Sequence, residues 1–273
     1  MLICPLCQSP LETLDQGLSC ANRHRFDRAR QGYYNLLPVQ HKNSRDPGDN
    51  AAMVEARRRF LAAGHYAPLA QRLAHLVAAR QPKKWLDIGC GEGYYTQQIA
   101  SQCPSAQGYG LDISREAVKR ACKLAPEVSW MVASMARVPL ADACCDVLTS
   151  VFSPLDWQEA KRLLAPGGAL LRMGPTREHL WELRGKLYDE IRDYDDQKHL
   201  SLIPQGMRLI HSENLKFELQ LDHAQDRADL LAMTPHGWRA SAERRSRVID
   251  TPLTVRVEIR YDWIERLPDS ASD

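Results

Sequence analysis

The stretch LDIGCGEGYYT, residues 86–96, decides the fold. Its first half, with the preceding Lys84 and Trp85, is a short apolar strand, and the residues after Gly93 have helical character. Between them Gly89, Gly91 and Gly93 alternate. Glycine lets backbone adopt positive φ and approach a ligand closely, and a helix start offers free N–H groups. The pattern departs from the dinucleotide fingerprint G-x-G-x-x-G, because the third residue after Gly91 is Tyr94. An acid, Asp87, leads the turn instead, which suits a ligand carrying an ammonium group better than a pyrophosphate.

Reading outward toward the C-terminus, strand and helix patterns alternate. GYGLDIS (108–114), VSWMVA (128–133), CDVLTSVF (145–152) and ALLRMG (169–174) read as further strands, separated by helical segments. Five short strands with interleaved helices predict an α/β fold with a doubly wound parallel sheet. Asp112 stands nineteen residues past Gly93 at the end of the second strand, where a carboxylate can accept both hydroxyls of a ribose. VASMARVPLAD (132–142) follows the third strand, where an adenine edge would meet Ser134 and the Met135 backbone. An acid before the turn, an acid on a ribose and the LLAPGGALL turn (163–171) before the fifth strand together favour S-adenosylmethionine over an ordinary βα turn of some other α/β enzyme. The expected fold is therefore a class I, Rossmann-like methyltransferase, with Asp87, Gly89, Gly91, Gly93, Asp112, Ser134 and Met135 around the cofactor. Segments 176–209 read as helical, and FELQLDH (217–223) and LTVRVEIRYDWIE (253–265) as strands, the last with one wet face.

Toward the N-terminus, two helices precede the sheet, one from Ala51 with Gly64 as its stop and one over residues 67–80. Before them PVQHKNSRDPGDN (38–50) is polar and contains proline and glycine, as a linker or an ordered functional loop would. The first residues read CPLCQSPLETLDQGLSCANRHRF (4–26). Cys4, Cys7, Cys20 and His24 are spaced C-x2-C-x12-C-x3-H, a donor set that suits one tetrahedral Zn2+. Four protein ligands leave no open position, so the ion is structural. A unit of about 35 residues buries too little surface to fold unaided. The predicted module is zinc-ribbon-like. Cys90, Cys103, Cys122, Cys144 and Cys145 have no ligand spacing and read as small core residues.

The 273 residues are 44% hydrophobic and 26% charged, enough apolar material for a sizeable core, and the net charge is +2. Arginine is clustered in RHRFDRAR (23–30), EARRRF (55–60) and RASAERRSR (239–247), a pattern that points toward a polyanion if the runs converge. No apolar run approaches the roughly 20 residues of a membrane span, and no basic-then-apolar leader is present. The expected location is the cytoplasm, with no membrane partner.

The order C-x2-C…C-x3-H, then GYYNLLPVQHKNSRDPGDN, ARRRFLAAGHY, LDIGCGEGYYT and MTPHGWRA, resembles that of the bacterial 23S rRNA (guanine-N1)-methyltransferases, from Cys4 to about Ala240. The motifs before residue 66 carry the resemblance; LDIGCGEG alone fits many methyltransferases. The resemblance implies a zinc-binding RNA-recognition domain and a methyltransferase domain, which the sequence pattern bounds at 1–37 and 67–265 with a linker and helix over 38–66 between them, and residues 266–273 are expected to be a disordered tail. It implies Cys4, Cys7, Cys20 and His24 as zinc ligands, and Tyr66, Gly91, Glu92 and His179 around the cofactor. The implied reaction moves a methyl group from S-adenosylmethionine to guanine N1 in a 23S rRNA hairpin loop, of the guanine 745 type. Competing readings are a neighbouring guanine of the same hairpin (the macrolide-resistance type), a small-molecule methyltransferase, and a non-enzymatic zinc-ribbon RNA-binding protein. VFSPLDWQE (151–159) keeps only Ser153-Pro154 of the polar-Pro-Pro-aromatic motif of amino-methylating enzymes, which favours a ring nitrogen. Asp46, Asp49 and Asp156 are the candidate general bases. Arg57, Arg58, Arg59 and Arg244 are candidate phosphate contacts, and Trp238 a candidate base-stacking residue. A homodimer would enlarge the limited RNA surface of one chain.

Overall fold

The computed structural model describes residues 2–38, 51–191 and 195–268. Strands β1 (Leu11–Leu14), β2 (Gly17–Cys20) and β3 (Arg25–Asp27) form a small antiparallel sheet. Strand β4 (Tyr34–Asn35) leaves it and joins the main sheet. Helices α1 (Ala51–Ala62) and α2 (Ala67–Ala79) follow. Then come β5 (Lys84–Ile88), α3 (Tyr94–Gln102), β6 (Gln107–Asp112), α4 (Arg115–Leu124) and β7 (Ser129–Val132). The second half holds β8 (Cys145–Val151), α5 (Trp157–Leu163), β9 (Leu164–Pro175) and α6 (Trp181–Leu187). It closes with β10 (Met207–Leu221), α7 (Ala224–Met233), α8 (Pro235–Arg239), α9 (Ala242–Asp250) and β11 (Leu253–Arg266).

The main sheet has the order β10-β11-β9-β8-β5-β6-β7-β4. Strands β4 through β9 run parallel, while β11 is antiparallel to β9 and β10 to β11. The chain reverses its direction of travel across the sheet at β5 and β8. That switch point, outside the carboxyl ends of the strands, is where open α/β sheets bind ligands. The sheet is thus doubly wound, as the sequence predicts, with an antiparallel strand pair and an extra edge strand added.

Residues 207–216, expected partly as helix, belong instead to the fifteen-residue β10. Most of them face solvent, so their side chains carry no clear period. Pairing with β11 from Met207↔Arg266 to Leu221↔Leu253 makes them a strand. Between residues 176 and 209 the regular helical structure among the described residues is α6 and one 3-10 turn over Lys198–Leu202.

Side chains of the parallel strands alternate between two buried clusters, one on each face. Trp85, Val147 and Leu171 belong with Leu73, Ile99 and Val118 of the helices α2, α3 and α4. Leu86, Leu148 and Leu170 belong with Ala160 and Leu163 of α5 and with Cys4, Leu11, Leu18, Cys20 and Leu36. The N-terminal module therefore covers part of one sheet face. Backbone hydrogen bonds also fix its register on the sheet. Tyr34 and Asn35 pair in parallel with Met131 and Val132, the Ile3 N–H donates to the Pro139 carbonyl at 3.0 Å, and the Leu36 N–H donates to the Val132 carbonyl at 2.9 Å.

Candidate active site and zinc site

The carboxyl ends of β5, β6, β7, β8 and β9 bring the predicted cofactor residues to one edge of the sheet. Gly89, Gly91 and Gly93 have φ of 73°, 55° and 85°, all left-handed. A Cβ on Gly89 would sit 2.1 Å from Ser153 Oγ, so the turn after β5 lies against the loop after β8. A Cβ on Gly93 would meet Ala121 Cβ and Trp130 at 2.9 Å, which lets α3 start hard against α4 and β7. At Gly91 nothing lies within 4 Å, so the turn borders open space.

Two carboxylates organise this turn. Asp87 is 1% exposed. Thr96 Oγ1 donates to its Oδ2 at 2.6 Å and Thr149 Oγ1 to its Oδ1 at 2.7 Å. Burial nevertheless pushes its carboxyl up to about 6, against an ordinary value of 3.8, with the two hydroxyls pulling the other way. A positive group brought to this site would relieve that cost, so the donor chemistry fits an ammonium. Asp112 closes β6, half-buried, and accepts the Gly91 N–H at 2.9 Å and the Ser114 N–H at 2.8 Å. Each carboxylate oxygen has a second lone pair for a ribose hydroxyl. Ser134 and Met135, both half-buried, follow β7, and Ser134 Oγ accepts the Ala136 N–H at 3.3 Å. Glu92 is buried, with Arg57 Nη1 3.9 Å from its Oε2.

An aromatic wall stands beside the turn. Tyr66, at the start of α2, is 2% exposed, and His179 is 9% exposed. Tyr66 Oη lies 3.5 Å from His179 Nε2, and the Glu258 N–H donates to His179 Nδ1 at 3.3 Å. That bond places the ring proton on Nε2. Burial, with His236 and Arg184 nearby, holds the imidazolium form down to about 3. Tyr66 and His179, joined in the sequence only by the resemblance, thus meet in space. Two neighbours were missed by sequence reasoning. Phe152 packs its ring 6.3 Å from both Tyr66 and Tyr95 and 6.4 Å from His179. Tyr95 buries its hydroxyl with no hydrogen-bond partner among the described residues. The only sequence signal for either was an aromatic at a strand or helix terminus beside the glycine turn.

Of the base candidates, Asp156 lies among the described residues. Asp156 Oδ1 accepts the Glu159 N–H at 3.0 Å and caps α5. Asp46 and Asp49 lie outside the described residues. Arginines of the second and third runs pair with acids of the protein. Arg59 forks onto buried Asp229 at 2.9 and 2.6 Å, Arg58 onto Glu55 at 3.1 and 2.7 Å, and Arg244 reaches Asp189 at 2.6 Å. Their charges are answered within the protein. Arg23, Arg25, Arg28 and Arg30 are exposed on the N-terminal module, where no ion pair to them occurs among the described residues. Trp238 is 57% exposed, so it is not a core residue.

In that module Cys4 Sγ and Cys20 Sγ each lie 3.5 Å from His24 Nδ1, and Cys7 Sγ lies 3.7 Å from Cys20 Sγ. All four donor atoms fall within 4.8 Å of one another. Tetrahedral Zn2+ with ordinary bond lengths places two sulfurs about 3.7 Å apart and a sulfur and nitrogen about 3.5 Å apart. The four residues fit one closed zinc site.

Fold, turn and metal site define an S-adenosylmethionine-dependent methyltransferase with a zinc-ribbon module. The family model described as the RlmA N-terminal zinc ribbon matches residues 2–45, and one described as a methyltransferase domain matches residues 86–168. The 23S rRNA (guanine(748)-N(1))-methyltransferase of Streptomyces fradiae is 36% identical, over 91% of this chain and 89% of its own. Proteins of Micromonospora griseorubida and Bacillus subtilis, provisionally named 23S rRNA (guanine-N1)-methyltransferases, are 34% and 33% identical over 95% of each chain. The chain belongs to the 23S rRNA (guanine-N1)-methyltransferase family.

Proposed function

We propose that the protein methylates N1 of one guanine in a hairpin loop of 23S rRNA. The observation that carries this reading is the placement of the zinc module. The module bearing exposed Arg23, Arg25, Arg28 and Arg30 is hydrogen-bonded to β7, the strand whose carboxyl end carries Ser134 and Met135. A phosphate-binding surface is thereby held in fixed relation to the cofactor turn. A small metabolite would need no such module.

S-adenosylmethionine, when bound, supplies an activated methyl group. Asp112 would accept the ribose hydroxyls, Asp87 would face the ammonium, and the turn of Gly89, Gly91 and Gly93, with Glu92, would leave room for the chain between them. Ser134 and the Met135 backbone would border the adenine, and Tyr66 and His179 would wall the reaction space. Because His179 is neutral and its Nε2 carries a proton, it orients the Tyr66 hydroxyl rather than accepting the guanine proton. N1 lies on the Watson–Crick edge, so the base must be unpaired or flipped out, which a hairpin loop makes easier. The N1 proton must leave before or during transfer. Asp46, Asp49 and Asp156 stand as the groups to test for that step.

The position is the finer part of the proposal. The motif order favours guanine 745, whereas the Streptomyces fradiae relative is named for guanine 748. N1-methylation blocks reverse transcription, so primer extension on 23S rRNA taken from a strain lacking the activity and then methylated by this protein reads the position directly. A stop at 745 supports the first and at 748 the second; no methyl incorporation into 23S rRNA removes the reading. The proposal includes cytoplasmic location and a homodimer, the latter read by light scattering of the purified protein. No helix among the described residues is long and apolar enough to cross a membrane.

A further inference from the structure

Phe152 is one of four phenylalanines in the chain, and 42% of its surface is exposed. Its φ is 51°, in the left-handed region where a bulky side chain is strained. A buried aromatic could offset such strain by packing, but one left substantially open does so poorly. The conformation is fixed by its position at the end of β8, where the Phe152 N–H donates to the Met173 carbonyl at 3.0 Å. Its ring is backed by Tyr66, at 6.3 Å and 27°, and by His179, at 6.4 Å and 30°. Tyr95 stands 6.3 Å away on the same wall. The next residue, Ser153, lies against Gly89 of the cofactor turn. A strained, partly open aromatic ring is therefore held on a rigid backing beside the methyl-donor turn.

We propose that the open surface of Phe152 is the platform on which the target base stacks, so that its Watson–Crick edge is presented to the methyl donor. This rests on the RNA reading given above. Any base has a π face, so stacking here positions the base and leaves the choice of guanine to other groups. Backing by Tyr66 and His179 keeps the platform from turning away when the base arrives, which converts binding into alignment.

The test compares Phe152→Leu and Phe152→Trp with the wild-type protein on unmethylated 23S rRNA. Leucine keeps apolar volume and removes the π face; tryptophan keeps the face. Phe152→Leu is expected to lower kcat/KM by about 5- to 150-fold, the effect of losing one base–aromatic stack, and Phe152→Trp to stay within about fivefold of wild type on the same scale. Calorimetric binding of S-adenosylmethionine should be unchanged within a few-fold in both. The second readout uses a hairpin with 2-aminopurine at the mapped guanine. Its fluorescence should be quenched on wild type and on Phe152→Trp, and bright on Phe152→Leu. Full activity of Phe152→Leu, or equal quenching by it and wild type, overturns the proposal. So does a rate loss matched by an equal loss of cofactor affinity. If wild type itself methylates no 23S rRNA, the RNA reading fails and takes this inference with it; if wild type is active and Phe152→Leu equals it, only the stacking role fails.

Discussion

Replacing Asp87 by asparagine should change how stability depends on pH, by an amount the structure sets. The folded chain holds the Asp87 proton up to about pH 6, while the ordinary carboxyl value is 3.8. The folded state therefore binds the extra proton between those two values. The burial cost of the charge is full above pH 6, is relieved as pH falls, and is absent below about 3.8. A gap of about two pH units at roughly 1.4 kcal/mol each makes that cost about 3 kcal/mol at pH 8. Asparagine carries no charge to desolvate, but it cannot accept from Thr96 and Thr149 as the carboxylate does. Its absolute effect is thus a difference of two similar terms. Its pH dependence is not, because the neutral amide contributes none. Stability of Asp87→Asn relative to wild type should rise by about 1.4 kcal/mol between pH 5 and pH 8, or roughly 3–6 °C in Tm. Urea unfolding of both proteins without S-adenosylmethionine at pH 5, 6, 7 and 8 measures it. A difference that is flat with pH would show that the two hydroxyls fully offset burial, and the account of this site would be wrong. Calorimetry on the same proteins should find weaker cofactor binding in the variant, since the charge that faces the ammonium is gone.

Three further outcomes follow from the packing of the zinc module, Arg59 and His179. Zinc removal by a chelator should abolish hydrogen-exchange protection over residues 2–37 and raise exchange in β7, which loses its partner β4, while β5 and β8 stay protected; uniform loss would contradict the architecture, and metal analysis should return one zinc per chain. Arg59→Leu leaves the Asp229 carboxylate buried without its fork, and urea unfolding should show a loss of about 1–3 kcal/mol, discounted because Arg59 is 42% exposed. His179, held down to about 3 by burial, should show the neutral Nε2–H tautomer by nitrogen NMR from pH 8 to pH 5; its conformation opposes protonation, so any contribution it makes to stability falls only as pH drops below the ordinary value of 6.5. Appearance of the imidazolium near pH 6 would mean that water reaches the ring.

Much of this protein is written in local sequence, for a physical reason in each case. LDIGCGEGYYT specifies strand, left-handed turn and helix within eleven residues, because only glycine adopts those φ values without strain. C-x2-C-x12-C-x3-H specifies a zinc site, because the donors must close a tetrahedron through a short hairpin. Asp112 was legible as the acid at the end of the second strand because doubly wound sheets repeat that geometry.

Other features depend on contacts between distant segments, and no local pattern records those. Whether 207–216 is helix or strand was decided by β11, more than forty residues later, since solvent-facing side chains give the stretch no period of its own. Which arginines keep a free charge was decided by where Asp229, Glu55 and Asp189 came to lie. The aromatic wall of Tyr66, Tyr95, Phe152 and His179 draws on four segments that only the sheet's carboxyl edge brings together. The sequence by itself determined the cofactor turn, the metal donors and the parallel sheet. Tertiary structure alone decided that the zinc module is built into that sheet, because burying Leu11, Leu18 and Leu36 against Leu111 and Met131 is a long-range act of packing.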